Sequence, residues 1–166
     1  MEAPLSPLQA EARQAAQKHG VPPALFTAQI RQESGFNPKA RSKSGAIGIA
    51  QIMPATAKAW KVNPRDPKQA LNAAARNMAG FIKTYKKQGL SETEAQKRAL
   101  AAYNAGPKQV VYWLKTHPPK EIDVWIETLP WQETRNYLKN IMAFYVVYQY
   151  RLGQKANLDH FLEPLS

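Results

Sequence analysis

The sequence predicts a mainly α protein of one domain, on three observations. Its 166 residues are enough for one core, and 44% hydrophobic residues with four Trp, seven Tyr and five Phe fit a packed chain better than a disordered one. Proline and glycine recur where helices start and stop. Tyr137, Ile141, Phe144 and Tyr148 recur at steps of four and three, the spacing of one helical face. No internal repeat, linker or low-complexity segment divides residues 1–166.

A first helix is predicted over 6–19, with Ser6 as N-cap, Pro7 in the first position and Gly20 as a left-handed stop. The second, over 22–34, opens on Pro22 and Pro23 and ends at Gly35, with Glu33 in its last turn. Between Gly35 and Pro54, the glycines Gly45 and Gly48, Pro38, Ser42 and Ser44 predict irregular structure, and a loop of that length is usually functional. Helices resume over 54–60 and over 67–88, after Asp66 and Pro67. The next spans 91–105, with Ser91 and Glu94 as a capping box. Two shorter helices follow over 107–116 and 119–127. A long last helix covers 131–152 and stops at Gly153, with Glu133 one turn before Tyr137 on the same face.

A net charge of +11 favours adsorption to polyanions such as nucleic acid, anionic lipid or an acidic wall polymer. No run of Lys and Arg exceeds two, so neither a basic tail nor a recognition helix is visible and specific nucleic-acid binding is not expected. The absence of cysteine excludes disulfides and thiolate chemistry. No stretch is long and apolar enough for a transmembrane segment, so the chain is expected to be soluble. The start, MEAPLSPLQAEARQ, has no basic n-region or apolar h-region and is not read as a secretory signal peptide.

No metal or cofactor is expected. His19, His117 and His160 are isolated and lack HExxH spacing, and the GAIG run at 45–48 is not followed by Lys and Ser or Thr. No GxSxG elbow occurs.

Glu33 is the only acidic residue between Ala12 and Arg65, in a stretch that carries Arg13, Lys18, Arg31, Lys39, Arg41, Lys43, Lys58 and Lys61. Two readings stand. It is a solvated helix-end carboxylate paired with a nearby cation. Alternatively, the negative helix end and burial raise its pKa and keep it protonated near neutrality, as a general acid for glycosidic cleavage requires.

Four ordered blocks favour the second reading. Glu33-Ser34 with Pro38 and Ser42, the run from Gly45 to Ala57, Ala102-Tyr103-Asn104-Ala105-Gly106, and Glu133-Thr134-Arg135-Asn136-Tyr137 resemble the soluble lytic transglycosylase (SLT) domain. The resemblance implies a lysozyme-like, mainly α (α+β) fold. It is a single globular helical domain with a glycan-binding cleft between the Glu33 loop region and the 131–152 helix. It implies cleavage of the β-1,4 bond between N-acetylmuramic acid and N-acetylglucosamine in peptidoglycan, giving 1,6-anhydromuramic acid ends. Glu33 would be the sole catalytic acid and base. Ser34 and Ser42 would orient the glycan or the carboxylate, Gln51 would hydrogen-bond sugar, and Met53 would line the cleft. Tyr103 and Asn104 would reach the reacting sugar, Tyr137 would sit beside Glu33, and Glu133 would contact acetamido or peptide groups.

Taken singly, Ser34 and Ser42 also fit loop-backbone partners, Tyr103 and Tyr137 core aromatics, and Glu133 a first-turn helix carboxylate. The partner implied is the peptidoglycan glycan strand, met by a monomer in the periplasm, cell envelope or outside the cell. One position departs from the family's usual Gly-Leu-Met-Gln: here Gly48-Ile49-Ala50-Gln51 places a methyl where a large side chain is usual. Two alternatives remain open. One is a hydrolytic muramidase using Asp66 or Glu133 as a second carboxylate; the other is a non-catalytic wall-binding component of a secretion or phage assembly.

Overall fold

Among the described residues, five of eight helices begin on proline, whose fixed φ suits a first helical turn and whose missing N–H costs nothing there. The computed structural model describes residues 6–118 and 121–151. The helices are α1 (Pro7–His19), α2 (Pro23–Ser34), α3 (Pro54–Trp60), α4 (Pro67–Lys87), α5 (Glu92–Ala105), α6 (Pro107–Thr116), α7 (Ile122–Thr128) and α8 (Gln132–Arg151).

Most differences from the expected bounds are caps. Ser6 and Ser91 stand just outside α1 and α5, and their hydroxyls accept from Gln9 N and Glu94 N. Gln88 caps α4 rather than extending it. The shortest helix in this part of the chain, α7, starts at Ile122 and ends at Thr128, while residues 119–120 of its expected start lie outside the described residues. So do Leu152, the expected stop Gly153, and His160. The β component of the expected class is slight. Two isolated antiparallel bridges, Arg41 with Ile47 and Ile47 with Ile52, are what the described residues contain, and no strand.

Two helices are buried on all sides. In α2, seven consecutive residues from Ala24 to Ile30 are buried, and α2 packs between α1 and α8. In α5, the eight residues from Ala95 to Ala102 are buried, and α5 packs on α4, α6, α7 and α8. That run includes Gln96, Lys97 and Arg98, which need polar or aromatic partners. Lys97 Nζ donates to Asp123 Oδ1 at 2.8 Å, and Gln96 Nε2 to Glu92 Oε1 at 3.3 Å. The Arg98 guanidinium lies 5.6 Å from the Tyr85 ring centroid and 5.4 Å from that of Trp125. Alanines make the close approach possible: Ala12, Ala15 and Ala16 on α1, Ala70, Ala73, Ala74 and Ala75 on α4.

The C-terminal ends of α2 and α5 and the first turns of α8 are thus held by the core, and the 35–53 loop closes over them. Gly48 anchors that loop. Its φ is +79°, its N–H donates to Ala40 O at 2.9 Å, and a Cβ there would lie 2.1 Å from Pro64 O.

Candidate active site

Glu33 occupies the last turn of α2, which ends at Gly35 in the left-handed region. Its carboxylate does not pair with a cation: among the described residues it makes no ion pair. Arg31, two residues earlier, turns away, with its guanidinium 5.0 Å from the Phe144 ring centroid and Nη1 donating to Tyr148 Oη at 3.4 Å. The first reading of the sequence, a paired surface carboxylate, is therefore not the arrangement found.

Burial pushes the Glu33 carboxyl up from its ordinary 4.5 to about 8. A hydrogen bond from Tyr137 Oη to Oε2, at 3.2 Å, opposes that rise, and the nearby negative charge of Glu133 adds to it. The C-terminal end of α2 acts in the same direction as burial. Near neutrality Glu33 keeps its proton.

Around it lies a cleft of about 510 Å³ that brings together eight of the nine expected residues: Glu33, Ser42, Gln51, Met53, Tyr103, Asn104, Glu133 and Tyr137. Among the described residues no Lys, Arg or His lines it, although the chain carries 23 Lys and Arg. Glu33 and Glu133 are the carboxyl groups that line it among the described residues, and no cation is among the groups that shift the Glu33 pKa. Ser34 does not line the cleft. Its hydroxyl donates to Ile49 O at 2.6 Å and so ties the end of α2 to the loop.

Several cleft side chains are fixed by backbone. Tyr103 Oη donates to Ala50 O at 2.9 Å, and Ser42 Oγ accepts from Ala46 N at 2.9 Å. Gln51, at φ +50°, spends its amide donors on Gly48 O at 2.8 Å and Ala40 O at 3.2 Å, so its Oε1 is the atom left to accept. Asn104 Oδ1 accepts from Thr134 Oγ1 at 2.7 Å, so its amide N–H groups are left to donate. Glu133 is exposed, and Met53 is 42% exposed at the lip.

The model of the transglycosylase SLT domain matches residues 11–126. This chain belongs to that family. A second model, the soluble lytic transglycosylase helical domain, matches residues 128–156 of this SLT-domain chain. The soluble lytic murein transglycosylase of Salmonella typhimurium is 37% identical over 135 residues, covering 77% of this chain and 21% of the relative. The 70-kDa soluble lytic transglycosylase of Escherichia coli superposes with a TM-score of 0.78 at 30% identity, over 93% of this chain and 26% of that one. An inactive mutant of the Pseudomonas aeruginosa lytic transglycosylase, with one glutamate changed to glutamine, gives a TM-score of 0.75 at 31% identity, over 89% and 25%. The chain spans about a fifth of the length of the curated relative. The helical, lysozyme-like fold expected from the four blocks is the fold of this SLT domain.

The departure at position 50 resolves in favour of the core. Ala50 has no exposed surface and packs in the hydrophobic cluster, while its carbonyl holds Tyr103. Ala50→Met in this SLT domain is therefore expected to overpack the core by about 1–3 kcal/mol, read as a lower melting temperature, with no change in glycan preference. A changed ratio of rates on peptide-bearing and stripped glycan would place the side chain in the cleft instead.

Asp66, one of two candidates for a second carboxylate, is consumed as the N-cap of α4. It accepts from Lys68 N, Gln69 N and Gln69 Nε2 and does not line the cleft. Sequence reasoning passed over several residues that the fold recruits. Trp60, Phe81 and Asn136 line the cleft, and the Trp60 ring lies 6.3 Å from that of Tyr103. Gln29 and Thr134 are buried behind it. Gln29 carried one available signal: it precedes Glu33 by four residues, on the same helical face.

Proposed function

We propose that this SLT domain cleaves the β-1,4 bond between N-acetylmuramic acid and N-acetylglucosamine in peptidoglycan by lytic transglycosylation. The observation that carries the reading is a buried carboxyl, Glu33, held protonated near neutrality in a cleft that no cation of the described residues lines. Glu33 donates its proton to the bridging oxygen as that oxygen leaves muramic acid C1, and positive character develops at C1. The resulting carboxylate takes the proton of the C6 hydroxyl, and O6 bonds to C1. The ring closes to 1,6-anhydromuramic acid, Glu33 is again protonated, and no water is consumed. Closure within one sugar gains the advantage of an intramolecular step.

Tyr137 fits this two-stroke use. Its hydrogen bond is stronger to a carboxylate than to a neutral acid, so it stabilises Glu33 between the two proton transfers. Because the acid form starts the reaction, kcat/KM is expected to fall on the alkaline side with a midpoint near the Glu33 pKa of about 8. A pH–rate profile on purified peptidoglycan checks it, and an alkaline limb centred near pH 5 would contradict it.

The finer reading extends to context. The chain acts as one domain, since α8, which overlaps the second family match, packs along α2. It acts as a monomer on glycan strands of the bacterial envelope, drawn there by its +11 charge. No described helix is long and apolar enough to cross a membrane. The position of Glu133 in the same cleft favours one second reading, hydrolysis with Glu133 activating water. Borohydride reduction of the products separates the two: transglycosylation creates no new reducing ends, and hydrolysis creates one per cut.

A further inference from the structure

Resting on that reading, we propose that Gln29 is a positioning residue for the reaction: its amide fixes the Tyr137 hydroxyl so that its only hydrogen points at Glu33. Gln29 sits on α2 one helical turn before Glu33 and has no exposed surface. Its Nε2 donates to Tyr137 Oη at 3.2 Å, and Tyr137 Oη donates to Glu33 Oε2 at 3.2 Å. Both bonds run the same way, toward the carboxyl.

A phenol has one hydrogen and accepts through its oxygen. With the Gln29 amide on the oxygen, the hydrogen is committed to Glu33, and a donor that itself receives a hydrogen bond is a stronger donor. Gln29 gains little for itself by this placement. Its Oε1 is buried and meets no donor among the described residues, although Phe26 and Ile30 on the same helix are buried hydrocarbon. An apolar side chain of equal volume would fill the space without leaving a buried oxygen unmatched, so the amide is explained by what its N–H does to Tyr137.

The charged and titratable groups around Glu33 are few. From α8 come Tyr137 and Glu133, and from α5 comes Tyr103, whose hydroxyl is occupied by Ala50 O. The loop side of the cleft brings Ser42, Ser44 and Gln51, none of them charged. No charge on α1, which also packs on α2, shifts Glu33. Removing the Gln29 amide therefore acts on Glu33 through Tyr137 alone.

The relay favours the carboxylate, so its loss should raise the pH at which Glu33 gives up its proton. The test uses near-isosteric Gln29→Met, with Gln29→Leu carried in parallel, in wild-type and Tyr137→Phe backgrounds. The side-chain carboxyl of Glu33 is titrated by carbon NMR, its signal identified by its loss in Glu33→Gln, and kcat/KM is followed against pH. The expected result is a midpoint raised by roughly half a unit in both measurements, and no further shift when Tyr137 is already Phe. A purely structural role would lower the melting temperature or kcat without moving the midpoint. An unmoved midpoint, a midpoint that falls, or an equal rise in the Tyr137→Phe background overturns the proposal. Because the NMR titration needs no turnover, a wild type that fails to cut glycan would count against the proposed function and leave the Gln29 relay to be decided by the titration.

Discussion

Glu33→Gln is expected to abolish glycan cleavage and at the same time to stabilise the protein. The loss follows from chemistry: an amide has no proton of suitable acidity to give the leaving oxygen, and among the described residues Glu133 is the one other carboxyl in the cleft. The gain follows from linkage. Glu33 has a folded pKa of about 8 against an ordinary 4.5, so between those values the folded state holds a proton that the unfolded state has released. Stability from this group is fully present below pH 4.5 and is lost as pH rises toward 8; above 8 the loss levels off. At about 1.4 kcal/mol per unit, and allowing for the partial exposure of the carboxyl, the cost near pH 7 is on the order of 2–3 kcal/mol. Glutamine mimics the neutral acid and does not incur it. Melting curves of both proteins should coincide at pH 4 and diverge toward pH 8, with the mutant more stable. Equal melting temperatures across that range would mean that Glu33 is not held protonated.

The second large effect is structural. Gly48→Ala is expected to cost about 2–5 kcal/mol, because a methyl group would meet a backbone oxygen, Pro64 O, that cannot rotate away, at a φ of +79° that L-residues adopt at a penalty. A melting temperature lower by roughly 10 °C is the readout. Activity should fall with it, since Ser42 and Gln51 hang from the same loop. Gly45→Ala is the internal control. Its φ is +96° but a Cβ there meets nothing within 4 Å, so only the conformational penalty remains. Equal effects of the two substitutions would show that the contact with Pro64 does not hold the loop.

Much of this architecture was legible because it is local. Proline at helix starts, serine caps and the stops at Gly20 and Gly35 are decided within a few residues of chain, and each stands where the spacing placed it. The four ordered motif blocks were also enough to bring Glu33, Tyr103, Glu133 and Tyr137 to one cleft. What the chain did not disclose depends on packing between distant segments. Lys97 and Arg98 are charged residues inside the core, received there by Tyr85 from α4 and by Trp125 and Asp123 from α7. The cations that precede Glu33 in sequence suggested a pair, but Arg31 is engaged by α8. Ser34, expected to orient the glycan or the catalytic carboxylate, donates to Ile49 O beside the cleft, and Ala50 faces the core. Gln29 belongs to no motif block; its i−4 spacing from Glu33 is visible in the chain, but its contact with Tyr137, 108 residues away, is made only by the fold.

Mass spectrometry of the soluble products from purified peptidoglycan decides whether Glu33 alone drives ring closure. Wild type and Glu33→Gln are compared in parallel. The wild type should release muropeptides lighter by one water than the hydrolysis products, and the mutant none. Full-mass muropeptides with reducing ends would contradict it and transfer the second half of the reaction to a water activated by Glu133.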